Sequence, residues 1–156
     1  MAQETIFQTE GVFHRYTHYT HVSFLFCTER DYANIHIRLD YDPLFCEAGE
    51  PELRQAMRDA LKDQIYRTDE PYVTEKVDKA FPIKNQISVA VRGPQGWLGE
   101  HHAFDGGDSI TLGPDASVGF FRAPCAAGQY EIVLHVFAVY TPDCRYSVKI
   151  TGEVEQ

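Results

Sequence analysis

Apolar and polar residues alternate along much of this chain. Ile87, Val89 and Val91 are interleaved with Ser88, Ala90 and Arg92. Successive side chains of an extended backbone point to opposite faces, so this alternation predicts a strand with one face buried. The pattern recurs where Val22, Phe24 and Phe26 oppose Ser23, Leu25 and Cys27, and where Ile35, Ile37, Leu39 and Tyr41 oppose His36, Arg38 and Asp40. It returns near the end, with Tyr146, Val148 and Ile150 against Ser147, Lys149 and Thr151, and briefly at Ile110 and Leu112. From Tyr130 to Val139 both faces are largely apolar, which predicts a central strand. Residues 5–20 mix aromatic and polar residues at two-residue spacing, with Phe13, Arg15 and Thr17 on one side and His14, Tyr16 and His18 on the other; they predict an edge strand.

Turn chemistry separates these runs: Asp42-Pro43, Gly93-Pro94-Gln95-Gly96, Asp105-Gly106-Gly107-Asp108 and Pro114-Asp115. One stretch changes period. Leu53, Ala56, Met57, Ala60, Leu61 and Ile65 form one stripe of a helix, and Pro51 between Glu50 and Glu52 suits its first turn. The spacing predicts a helix over about residues 51–66 that docks on the sheet through Leu53, Met57, Leu61 and Ile65. The following TDEPYVTEKVDKAFPIK, with Pro71 and Pro82, reads as an irregular continuation of an insertion spanning about residues 43–84. The expected architecture is a single mainly β domain over residues 1–156. It is a jelly-roll-like antiparallel β-sandwich of about eight strands with one inserted helix.

The order N-x-I-x-V-x-V-x-G-P-x-G-W-x-G, then S-x-G-F and P-x-x-x-G-x-Y-x-I-x-L, is carried by Asn85, Pro94, Gly96, Trp97, Gly99, Ser117, Gly119, Phe120, Pro124, Gly128 and Tyr130. It resembles the N-terminal β-sandwich accessory domain that precedes the metallohydrolase domain in bacterial PHP-type phosphoesterase-like proteins of the CehA/McbA group. Leu98 stands where that pattern has serine, and Tyr130 where it has tryptophan. The resemblance implies an accessory module beside hydrolases, recognising carbohydrate or a partner protein. The family's catalytic residues have no counterpart here, so the expectation is a free-standing copy without the metal-dependent activity.

Composition narrows the function classes. Across 156 residues, 44% hydrophobic and 13% aromatic content predicts a folded core rather than disorder. A net charge of −9 argues against nucleic acid as a partner, because binding a polyanion depends on clustered Lys and Arg. No run approaches the roughly 20 apolar residues of a membrane-spanning helix, and MAQETIFQTE lacks the features of a leader, so a cytoplasmic protein is expected. Cys27, Cys46, Cys125 and Cys144 show no C-x-x-C spacing, and free, mostly buried thiols are expected, with a Cys125–Cys144 bridge as the alternative.

Candidate chemistry is sparse. A lone tryptophan after a glycine turn is more often core than a stacking platform, yet Trp97 with Arg92, Glu100 and His101 is the set that would make a ligand surface. His14, His18 and His21 would not share one face of a strand, and adjacent His101 and His102 are poor joint ligands. Asp105, Asp108 and Asp115 read as turn residues, with calcium as the rival. No nucleophile elbow, P-loop or HExxH helix is present. The expectation is therefore a binding module and not an enzyme, with no cofactor and no metal. A small metal-dependent hydrolase using the loop histidines and a homodimerisation domain are the alternatives.

Overall fold

The computed structural model describes residues 2–64, 69–102 and 107–154. In chain order these form β1 (Ala2–His14), a 3-10 turn (Arg15–Thr17), β2 (Thr20–Thr28), β3 (Ile35–Asp42), β4 (Phe45–Cys46), α1 (Pro51–Gln64), α2 (Glu70–Ala80), β5 (Ile83–Lys84), β6 (Gln86–Gly93), β7 (Gly96–His101), β8 (Ser109–Leu112), β9 (Gly128–Ala138) and β10 (Asp143–Val154). One four-stranded sheet has the order β1-β10-β3-β8 and the other β2-β9-β6-β7, and β4 pairs with β5 alone. Every pairing is antiparallel.

The eight strands of the two large sheets pair in a nested series: β1 with β10, β2 with β9, β3 with β8, and β6 with β7. Rolling that long double strand over brings β10 beside β3 and β9 beside β6. This is the jelly roll, and the expected fold class holds. Its interior is where the alternation placed it. Ile35, Ile37 and Leu39 of β3, Ile87, Val89 and Val91 of β6, Ile132, Leu134 and Val136 of β9 and Val148 and Ile150 of β10 join one buried cluster. Each such side chain contributes about 1.5–3 kcal/mol relative to exposure. Phe7 of β1 stacks across the two sheets on Phe26 of β2 at 5.9 Å, and Phe26 stacks on Tyr130, its partner within the second sheet, at 5.2 Å. All four cysteines are free. Cys46, Cys125 and Cys144 are buried, and Cys27 is exposed. Burial pushes the Cys144 thiol up to about 11, so it stays protonated near neutral pH.

Three expectations need correction. The insertion holds two helices rather than one. Asp69 caps α2 by accepting from the Tyr72 amide, Pro71 occupies its first turn, where a missing donor is harmless, and Val73 and Val77 at i and i+4 are fully buried. The prolines bracket a helix instead of breaking one. Residues 5–20 are not one edge strand either. β1 is an edge strand, but it ends at His14, and Thr17 and Thr20 hydroxyls bond back to the carbonyls of His14 and Thr17, turning the chain into the second sheet.

Finally, α1 does not dock on the sheet through its apolar stripe. Leu53, Met57 and Leu61 are only half-buried, while Ala56 and Ala60 are exposed. The helix is held by polar ties instead: Arg54 to Asp78, Lys62 to Glu70 at 2.5 Å, and Glu50, just ahead of it, to Arg15 at 2.7 Å. Arg54 also lies 4.9 Å over the Phe81 ring. Ile65 and Tyr66, at the end of the expected helix, fall outside the described residues. No described helix is long and apolar enough to cross a membrane.

Candidate functional site

Two neighbouring features on and beside the outer face of the β2-β9-β6-β7 sheet gather the chemistry. The first is that face itself. Register carries Leu25, Glu131, Arg92 and Trp97 across one row, Ser23, Val133, Ala90 and Glu100 across the next, and His21, His135 and Ser88 across the third. Ser88 and Ala90 on central β6 are almost inaccessible although they point outward, because they are small and lie among larger neighbours.

Trp97 is 46% exposed on this face, so the core alternative for the indole does not hold. Parity across the β6–β7 hairpin is the reason. Arg92 is its direct partner and points outward, and the register shift between Val91 and Arg92 keeps Leu98 rather than Trp97 facing the core. Arg92 reaches Glu131 at 3.6 Å, an exposed pair of little energetic weight. Glu100 lies one row on and contacts His102 at 3.3 Å. His101 pairs with Val89, a core residue, and so sits on the inward side of the sheet away from the other three. The face thus brings Trp97, Arg92 and Glu100 together and leaves His101 behind.

Register adds residues that sequence reasoning did not connect. His21 and His135 are direct partners across β2 and β9, with Nε2 of the first 3.1 Å from Nδ1 of the second. Phe137 stands beside them, its ring 6.1 Å from that of His135 and 6.4 Å from that of His102. Burial, and then the neighbouring His21, depresses the proton affinity of His135 below the usual imidazole value; Glu100 acts in the opposite direction and His102 adds to the depression. The three N-terminal histidines separate: His14 bonds Asp143 on the other sheet, and His18 meets the carbonyl of Arg15 at 3.3 Å. Among the described residues no three or more His, Cys, Asp or Glu side chains are gathered as a ligand set in the conformation seen. Asp108 and Asp115 are exposed, and Asp105 lies outside the described residues.

The second feature is a groove of about 610 Å³ where this face meets α1. Leu53, Ala56, Met57, Ala60 and Leu61 supply the helix side, and Phe137 to Tyr140, from the end of β9 and just beyond, supply the sheet side. Arg15, His18, Tyr19, Glu52 and Lys76 also line it. Arg15 is braced there, its Nε donating to the Tyr140 carbonyl at 3.2 Å and Nη1 to Glu50. Burial raises the Tyr140 phenol above its ordinary value, so the ring enters the groove as a neutral group. The apolar stripe read from the sequence as a docking face is therefore one wall of an open groove. The stripe was legible; what it faces was not.

The sequence matches no family model and no curated protein.

Proposed function

We infer that the protein is a non-catalytic binding module that takes an elongated, mainly apolar ligand in the groove between α1 and the end of β9. One observation carries this reading. Among the described residues the amphipathic stripe of α1 has no buried member, yet it is turned toward Phe137 and Tyr140 across about 610 Å³ rather than packed on them. That volume suits small-molecule sites, which are typically about 300–1,000 Å³ and lined by apolar side chains with a few polar groups to fix orientation. Arg15 is held by Glu50 and Tyr140, which favours a positioning role over a reacting one.

The test fills the groove. Ala60 is an exposed helix residue on its wall, so Ala60→Trp should leave the fold intact while occupying the space a ligand needs. A panel of long-chain carboxylates, alcohols and aromatic amphiphiles should contain a compound that raises the melting temperature of the native protein. Saturation at a hundred times Kd corresponds to about 2.7 kcal/mol. The same compound should give no shift with Ala60→Trp and an unchanged shift with Asp59→Trp. A panel without any stabilising compound, or equal shifts in both variants, would remove the groove from consideration.

The half-exposed indole of Trp97 beside Arg92 favours a second reading, in which the sheet face stacks a sugar ring. That reading fits the accessory role implied by the resemblance to metallohydrolase-associated sandwich domains. Trp97→Ala should then abolish retention on immobilised polysaccharide while costing about 1 kcal/mol of stability, well below the 3–5 kcal/mol of a core aromatic. Retention unaffected by the substitution would dismiss it.

A further inference from the structure

One rung of the β2–β9 ladder stands beside the groove and is made of two imidazoles. His21 and His135 are direct partners, with His135 Nδ1 3.1 Å from His21 Nε2 and the ring centroids 4.3 Å apart. The other nitrogen of His135, Nε2, is buried and has no hydrogen-bond partner among the described residues. A contact of that length requires one N–H facing one lone pair, and two neutral rings supply it when His135 Nδ1–H donates to His21. Added to His21, a proton makes its Nε2 a donor and drives the N–H of His135 onto the buried Nε2, where it finds no acceptor. Added to His135, it leaves the same unpaired N–H and a charge with it.

The surroundings favour the neutral pair. Ser88 of β6 is the partner of His135 on its other side, and Val133 and Phe137 flank it on β9. Burial and then His21 lower its proton affinity, His102 adds to this, and only Glu100 opposes it. A histidine that binds its proton less well in the closed state takes it up on opening. Closure is therefore fully supported above the ordinary imidazole value of about 6.5 and is lost as the pH falls below it.

Both ends of the rung reach the groove. His21 is the second residue of β2, and Tyr19, just ahead of that strand, lines the groove. On the other side the ring of Phe137, a second groove wall, stacks on His135 at 6.1 Å. β2 is an edge strand paired only with β9, so a broken rung has no further neighbour to hold it. Tyr19 stands at φ +55°, a conformation that costs a tyrosine energy and that the closed turn must enforce. On the reading that ligand enters the groove, we propose that the His21–His135 rung is its acid-sensitive latch: neutral, it fixes Tyr19 and Phe137 as groove walls, and protonated it frees the start of β2 and releases the ligand.

The test uses N-phenyl-1-naphthylamine, an apolar fluorescent probe that stays uncharged over the range examined. Its Kd should rise by about tenfold or more between about pH 7.5 and about pH 5.5, since one unit of difference in proton affinity is a factor of ten. Hydrogen exchange in residues 19–24, corrected for intrinsic rate and measured without probe, should quicken over the same interval, while residues 146–150 of β10 stay protected. His21→Gln and His135→Gln should each reduce both responses, and the double variant should abolish them; melting curves at about pH 7.5 show that each variant is folded. His14→Gln, whose native ring bonds Asp143 on the other sheet, should leave both responses unchanged. Exchange indifferent to pH overturns the latch, whatever the groove binds. Exchange that responds while Kd stays constant overturns its hold on the groove and leaves the ligand reading standing. A change in Kd that survives the double variant belongs to His18, which also lines the groove, and overturns the proposal as well. Probe binding that is absent at the higher pH, or intact in Ala60→Trp, counts instead against the groove reading, and the gating falls with it.

Discussion

Asn85→Ala is expected to cost about 3–5 kcal/mol of folding stability, because the side chain is completely buried and every one of its polar atoms is committed. Its amide nitrogen donates to the Pro43 carbonyl at 2.8 Å and to Thr141 Oγ1 at 2.9 Å, and its oxygen accepts from the Tyr140 amide at 2.7 Å. These partners belong to the connection after β3 and the turn between β9 and β10, so one residue ties together loops about 42 and 55 positions away. Alanine would leave the part-buried Tyr140 N–H without this partner and the Pro43 carbonyl with only the Cys144 thiol at 3.7 Å, each loss costing about 1–3 kcal/mol. Asn85→Asp should be no milder. A carboxylate still accepts from Tyr140 but has no proton for Pro43 and brings an uncompensated charge inside. Urea unfolding measures both variants, and a loss below about 1 kcal/mol for the alanine variant would show that the tie is dispensable. Because Tyr140 also lines the groove, the variant should in addition weaken whatever ligand the groove is found to take.

Gly99→Ala is the second large effect, expected at about 2–4 kcal/mol. Gly99 lies in β7 at φ +145°, a conformation L side chains rarely adopt, and a methyl there would sit 2.6 Å from the Cα of Phe120 and inside contact distance of the Gly119 carbonyl oxygen. The closeness has a purpose. The segment around Gly119 hydrogen-bonds to the exposed side of β7, Glu100 N to Gly119 O at 3.1 Å and Phe121 N to Leu98 O at 2.7 Å, and so covers an edge that would otherwise present open backbone. Gly96 is the internal control. It also has positive φ, at +114°, but a methyl there meets nothing within 4 Å. Gly96→Ala should therefore carry the conformational penalty alone, and the difference between the two variants measures the close approach. Equal losses would mean that the covering segment yields freely. Gly99→Ala should further increase self-association at high concentration, observed by sedimentation, as the β7 edge loses its cover.

Several elements were legible because their signals are local. Ile35, Ile37, Leu39 and Tyr41 announce a strand with one buried face, and the doubly apolar run from Tyr130 announces the central position that β9 takes between β2 and β6. α2 was missed because its pattern is short, and its Pro71 was read as a breaker when a proline in the first turn is compatible with a helix. Asn85 stood out in the sequence only as the head of a strand motif; nothing local shows that it would be sealed inside with three partners from distant loops. Trp97 turned on one register shift, which sets the parity of a hairpin and is invisible to composition.

What the residues decided by themselves is which side of each extended segment is buried, since alternation is a property of neighbours in the chain and needs no knowledge of the partner strand. The helical stripe of Leu53, Met57 and Leu61 was decided in the same way. What they left open is which segments lie side by side. His21 and His135 are 114 positions apart, and only the roll of the sheet sets one against the other. The groove has the same origin. An apolar stripe specifies that it will avoid water, but whether it closes on a sheet or remains the wall of an open groove depends on where the ties from Arg15, Arg54 and Lys62 hold the helix, and those join residues that only tertiary structure makes neighbours.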